Sequence, residues 1–120
     1  MKDTLQPPSD WFKAAADASL DGLFIVKGVR DQAGQLIDFE CIDINGHALE
    51  LLGMTREKVI GQKLWGLLPI HREGFFDKYA QVLATGTPLE EEFPIVTTQA
   101  KARWLRHQVV RVGDGIVIFA

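Results

Sequence analysis

Asp43-Ile-Asn-Gly-His-Ala-Leu-Glu-Leu-Leu-Gly-Met-Thr-Arg-Glu-Lys-Val-Ile-Gly-Gln-Lys-Leu-Trp-Gly-Leu-Leu68 places one strand end, two helix starts and two stop signals within 26 residues. Asn45 is a good helix cap. The residues it introduces, Ala48, Leu49, Leu51 and Leu52, gather their apolar side chains on one side of a helix. Gly53 then supplies the positive φ that a helix end favours. Thr55 opens a second short helix with Glu57 in its first turn, where a negative charge complements the helix dipole. Gly61 stops that helix before Leu64, Trp65, Leu67, Leu68 and Pro69. A compact, bent run of short helices follows from this punctuation.

On the N-terminal side, Leu23 to Val29 and Ile37 to Ile44 are rich in strand formers and flank the turn-prone Asp31-Gln-Ala-Gly-Gln35, which predicts a hairpin. Ile37, Phe39 and Cys41 alternate with Asp38 and Glu40, so one strand face should be buried. The alternation slips at Ile42, where a bulge or the strand end is expected. Upstream, Pro7-Pro8 closes a leader and Ser9 can cap a helix carrying Trp11, Phe12, Ala15 and Ala18 at helical spacing.

On the C-terminal side, a helix from about Arg72 to Ala84 aligns Phe75, Tyr79 and Val82, beside Phe76, Ala80 and Leu83, and ends at Gly86. Strands follow near Leu89 to Val96, Ala102 to Val112 and Gly115 to Phe119. With Thr97-Thr-Gln-Ala100 as the connection, the expected register sets Phe93 against Trp104, Ile95 against Ala102 and Glu91 beside Arg106. Two strands, helices and three strands make an α+β fold, a five-stranded antiparallel sheet with short helices on one face. Apolar residues of both parities in the fourth strand suggest that something also packs behind the sheet. The N-terminal helix, from this chain or from a second copy, is the expected packer.

At 120 residues and 47% apolar composition the chain suits one domain with one core. No run approaches the roughly 18 to 20 apolar residues of a membrane span, and the N-terminus lacks a signal peptide's apolar core. These features predict a soluble, cytoplasmic domain without direct membrane insertion. A net charge of −3 with scattered Lys and Arg argues against a nucleic-acid surface. Cys41 is the single cysteine, which excludes an internal disulfide. There is no phosphate loop, nucleophile elbow, paired zinc-ligand motif or His pair one helical turn apart, so the chain reads as non-catalytic.

Asn45, Ala48, Leu52, Gly53, Gly61 and Leu64, at these spacings, resemble the core motif of PAS (sensory box) domains. The resemblance extends over residues 19–120. Asp21-Gly-Leu-Phe-Ile-Val26, Ala84-Thr-Gly86, Arg103-Trp104 and Gly113-Asp-Gly-Ile-Val-Ile118 fall in the family's order. It implies a PAS fold at 19–120, preceded at 1–18 by a flexible leader and an amphipathic flanking helix. It also implies a sensory module that binds a small ligand or relays a conformational change to an output domain in a longer chain, such as a histidine kinase or a cyclic-dinucleotide enzyme. Flanking helices in the family commonly mediate homodimers, which makes Trp11, Phe12 and Ala15 the interface candidates.

The concave sheet side closed by helices either holds a ligand or is filled by its own side chains. Phe39, Cys41, Trp65, Phe75 and Tyr79 are the expected residues around it. His107 is the polar candidate, with an outward placement paired to Glu90 as the alternative. Flavin photoreceptors of the family carry an Asn-Cys-Arg motif where this chain reads Pro69-Ile-His-Arg72, and Cys41 lies on a strand, which argues against covalent flavin. Haem sensors place a His on the long helix, whereas alignment puts Phe75 there and His71 about a turn earlier, which argues against haem. The rival from another class is a structural dimerisation module with a filled core and no ligand.

Overall fold

Strands dominate the architecture because β-branched and aromatic residues alternate with polar ones at both ends of the chain. A computed structural model describes residues 8–67, 74–96 and 102–120, with backbone alone for 8–10, 12–13, 93–96 and 102–105. The strands are β1 (Leu23–Arg30), β2 (Leu36–Ile44), β3 (Leu89–Val96), β4 (Ala102–Val112) and β5 (Gly115–Phe119). They form one antiparallel sheet in the order β2-β1-β5-β4-β3. The helices are α1 (Pro8–Ala18), α2 (Gly46–Leu52), α3 (Arg56–Val59), α4 (Leu64–Leu67) and α5 (Phe75–Thr85).

Cross-strand rows build the buried sheet face. Ile44, Phe24, Ile118 and Val109 lie side by side across four strands, and Cys41, Val26 and Ile116 form the next row. All seven are buried, and Ala48, Val59, Leu64, Tyr79, Val82 and Leu83 from the helices close over them. Fully burying side chains of this size contributes roughly 1.5–3 kcal/mol each. The rows that face away hold Ile25, Val117 and Val110, with Phe119 beside them. Val112 there is 57% exposed.

The slip at Ile42 is a bulge. Ile25 pairs with Asp43 and Val26 with Cys41, so Ile42 is the extra residue, and Cys41 and Ile44 both turn inward. Asn45 caps α2 through Ala48 N–H, and Gly53 ends that helix at φ 66°. Gly61 sits at φ 87° just after α3.

Three local expectations need correction. The β3–β4 register is displaced by one residue: Phe93 pairs with Leu105, Ile95 with Arg103, and Glu91 with His107. The strands leave residues 97–101 between them, one more than a four-residue connection, and that segment, with Thr97 to Ala100, lies outside the described residues. The fifth helix starts at Phe75 because Gly74 adopts φ 75°, a left-handed conformation that a helix cannot incorporate. Helix α1 begins at Pro8, whose fixed φ suits a first helical position, so Ser9 is a helical residue and not the cap.

Candidate functional site

Helix α5 lies across the buried sheet face, and its aromatic residues meet those of β2 and β4. Tyr79 is 6.4 Å from Phe39, 6.1 Å from Phe75 and 6.0 Å from His107 between ring centroids. Phe75 stands edge-on to His107 at 5.5 Å. Phe76 links Phe39 (5.9 Å) to Trp65 (5.5 Å). Edge-on and offset arrangements are those that aromatic quadrupoles favour. Phe39, Tyr79 and His107 are buried, Phe75 and Phe76 are half-buried, and Trp65 is 42% exposed. The sequence candidates Phe39, Phe75, Tyr79 and His107 therefore form one cluster, and Trp65 joins it at the rim through Phe76.

Cys41 is buried beside this cluster, with its Sγ 3.5 Å from the Asp43 carbonyl, and burial pushes its thiol pKa up to about 11. The outward placement of His107 against Glu90 is not what the structure has: His107 is 2% exposed, and Glu90 instead accepts from Arg106 (3.0 Å) and Gln108. Glu91, opposite His107, accepts from Lys78 Nζ at both carboxylate oxygens (2.9 and 2.8 Å). The assumed register had assigned Glu91 to Arg106, and this bridge between α5 and β3 was missed for that reason. Burial lowers the His107 pKa from its ordinary value, and it raises that of Tyr79, with Glu91 adding to the rise. Both side chains are thus neutral near pH 7.

A second polar arrangement ties the two flanks together. Asn45 is 1% exposed and makes four hydrogen bonds with its side chain. Its Oδ1 accepts from Leu23 N–H (2.9 Å) and Ala48 N–H (2.9 Å). Its Nδ2 donates to the carbonyls of Ala16 (2.6 Å) and Asp21 (2.9 Å). Alongside, Gly22 and Ala120 exchange two backbone hydrogen bonds (2.5 and 2.8 Å), which bring the end of β5 to the residues following α1. The capping role of Asn45 was legible from its spacing to Ala48, whereas its bonds to residues 16, 21 and 23 carried no local signal.

A cavity of about 30 Å³ adjoins Asn45 and is lined by Ala16, Asp17, Leu23, Ile25, Asp43 and Arg56 among others, room for about one water. Arg56 closes it by donating to the Ile44 carbonyl (2.7 Å) and pairing with Asp43. An open groove of about 510 Å³ runs between α2 and α3 along Leu49, Gly53, Met54 and Lys58. Of the expected dimer residues, Trp11 is 52% exposed and Ala15 is exposed, so neither is buried on this chain's own sheet. The side chain of Phe12 lies outside the described residues, as do Pro69 to Arg72, on which the flavin and haem arguments turned. Among the described residues no group of three His, Cys, Asp or Glu is placed to hold a metal ion, and no helix is long and apolar enough to cross a membrane.

Several solved structures share the fold. A domain of a sensory box sensor histidine kinase/response regulator from Geobacter sulfurreducens is 21% identical, with a TM-score of 0.65 over 93% of this chain and 91% of that one. The PAS domain of a protein from Colwellia psychrerythraea is 17% identical, with a TM-score of 0.65 over 95% and 96%. The PAS domain of a LuxR-family transcriptional regulator from Burkholderia thailandensis, described in complex with ethanol, is 16% identical, with a TM-score of 0.58 over 91% and 95%. No curated protein matches the sequence. The family model for the PAS domain matches residues 34–120, from the β1–β2 turn through the last strand. The sheet order, the short helices capped at Asn45 and this match agree, and the chain belongs to the PAS domain family.

Proposed function

We propose that this PAS domain is a non-catalytic sensory input module that takes up a small ligand or a conformational change at the α5–sheet contact and relays it to an output domain in a longer protein. The observation that carries the proposal is the Asn45 junction. One buried side chain bonds the last turn of α1, the start of β1 and the first turn of α2, beside the Gly22–Ala120 pair. A shift of the sheet against the helices is thereby felt at both flanks, and a ligand moves such an equilibrium by its differential affinity for the two arrangements. A small, largely apolar occupant suits a wall made of Phe39, Phe75, Tyr79 and His107, with Trp65 at its rim and Cys41 behind. The ethanol complex of a similar domain is in line with that size class. The domain works in the cytoplasm as a homodimer joined through Trp11, Phe12 and Ala15 of α1, of which Trp11 and Ala15 are exposed.

Purified protein, prepared without added ligand, should show an excess mass in native but not denaturing mass spectrometry, or a visible chromophore. A mass-clean, colourless protein whose amide exchange at Leu23–Arg30 is unmoved by candidate ligands would count against the sensory reading.

The second reading is a dimerisation module with a filled interior, and ring contacts running from Trp65 through Phe76, Phe39 and Tyr79 to His107 favour it. Light scattering on a chain lacking residues 1–18 separates two interfaces. Monomers support α1 as the contact, and a persistent dimer removes that role.

A further inference from the structure

His107 sits where a proton would rearrange charges between two elements. Its imidazole is 2% exposed and lies edge-on to Phe75 and Tyr79 of α5. Its strand partner on β3 is Glu91, and residues directly opposite in an antiparallel pair hold their Cβ atoms roughly 4.5–5.5 Å apart. Glu91 is engaged by Lys78 through both carboxylate oxygens, and this ion pair ties α5 to β3. Lys78 Nζ also lies 5.5 Å from the centre of the Phe75 ring. Among the described residues the titratable and charged groups that face His107 are therefore Glu91 from β3 and Lys78 and Tyr79 from α5. On the β5 side the neighbouring residues are Phe119 and Ala120, which carry no ionisable side chain.

We propose that protonation of His107 transfers Glu91 from Lys78 to the imidazolium and releases α5 from β3, an acid-sensitive latch on the sensing site. Three features favour this sequence. A buried imidazolium needs a compensating anion, and Glu91 is the carboxylate set opposite it. Lys78 is free to follow its charge outward, since its side chain is 41% exposed and an ammonium is readily hydrated. In the T-shaped contacts with Phe75 and Tyr79 one ring's edge meets the other's face, and protonation removes the negative face of the imidazole, so the contacts that hold the neutral ring change when it is charged. The direction of the titration agrees: burial holds His107 below its ordinary value near 6.5, Glu91 opposes that shift and Lys78 adds to it. The unfolded chain then binds the proton first, so the latch is intact above about pH 6.5 and loosens as pH falls toward the lower folded value. The inference rests on the sensory reading for its use, whereas the latch is a property of the domain by itself.

The test is amide exchange of Phe75–Thr85 between pH 7.5 and 5.0, corrected for intrinsic exchange, together with a proton NMR titration of the three histidines of the intact chain. The wild type should lose protection in α5 on acidification, tenfold for each unit by which its His107 titration lies below 6.5, up to about thirtyfold at pH 5.0. His107→Phe, which keeps an aromatic ring, and His107→Gln should both hold α5 protection constant over that range, and His47→Gln should behave as wild type. A His107 resonance titrating at or above 6.5 would overturn the latch, as would α5 protection that falls equally in wild type and both variants. If neither His107 variant folds, the wild-type titration and exchange decide alone. A latch that opens in the domain while the output of the full-length protein ignores pH would leave this inference standing and remove the relay.

Discussion

Replacing Asn45 with alanine removes a side chain that meets four backbone groups from three elements. Loss of the cap to Ala48 N–H costs about 1 kcal/mol. Leu23 N–H is the more expensive group, because Leu23 is 6% exposed and its donor would be stranded, at about 1–3 kcal/mol. The carbonyls of Ala16 and Asp21 lie in half-buried and exposed residues and regain water, so about 0.5 kcal/mol each is a fair share. The sum is about 3–5 kcal/mol, a large part of the roughly 5–15 kcal/mol by which domains are stable. Urea unfolding followed by tryptophan fluorescence should show the midpoint falling by roughly 2 M, given a slope of about 1–3 kcal/mol per M for small domains, with the slope itself unchanged. Asn45→Asp sharpens the test. It retains both acceptor bonds but sets a carboxylate against two carbonyl oxygens, so its cost should match or exceed that of alanine. A loss below about 1 kcal/mol in either variant would mean that the junction is a surface cap only, and that α1 is not held by the fold.

Phe39→Ala should cost about 3–5 kcal/mol in thermal or chemical unfolding, since Phe39 is fully buried and touches both Tyr79 and Phe76; a smaller loss would indicate that α5 collapses into the space. Gly115→Ala should lower stability by about 3 kcal/mol, because a Cβ there would collide with the Val26 carbonyl across the β1–β5 pairing; a neutral effect in the melting temperature would contradict that close approach. Lys78→Met at neutral pH should cost only about 0.5–1 kcal/mol, less in 1 M salt, because the pair with Glu91 is partly exposed, and comparative melting at two salt concentrations reads it. Cys41 should react with thiol reagents at pH 8 only as fast as the domain opens: with a pKa of about 11, roughly one thiol in a thousand is ionised. Labelling at the rate of a free cysteine in native buffer would show that the interior admits solvent.

Elements announced by local chemistry were legible in the sequence. Asn45 and Gly53 bracket α2 because a cap and a left-handed stop each act over three or four residues, and the broken alternation at Ile42 marks the bulge for the same reason. The strands of the last hairpin were placed correctly, yet their register was not. Residues 97–100 contain no Gly, Asn or Asp to fix a turn length, and one extra residue exchanges every cross-strand partner. That single displacement concealed the pairing of Glu91 with Lys78 and set His107 against the wrong glutamate. The start of α5 was misplaced because Gly74 holds a left-handed φ of 75°, which a helix cannot incorporate and which composition alone does not announce. The aromatic cluster was partly anticipated, since Phe75 and Tyr79 share a helical face. The bonds of Asn45 to residues 16, 21 and 23 span 22 to 29 positions, beyond the range of any periodicity.

The two margins of the sheet are treated differently. Along β2, backbone bonds from Cys41 N–H to Gln62 and from Gly61 N–H to Cys41 seal the border, and a bridge joins Glu40 to Lys63. Along β3 no further strand pairs among the described residues, and there the sequence supplies Glu90-Glu-Glu92 and Pro94. Like charges repel a second copy laid edge to edge, and a proline lacks the donor that continuous pairing would require. The open border is thus protected against filament growth by composition instead of by cover, so neutralising Glu90 and Glu92 together should turn a well-behaved solution into one that aggregates on concentration.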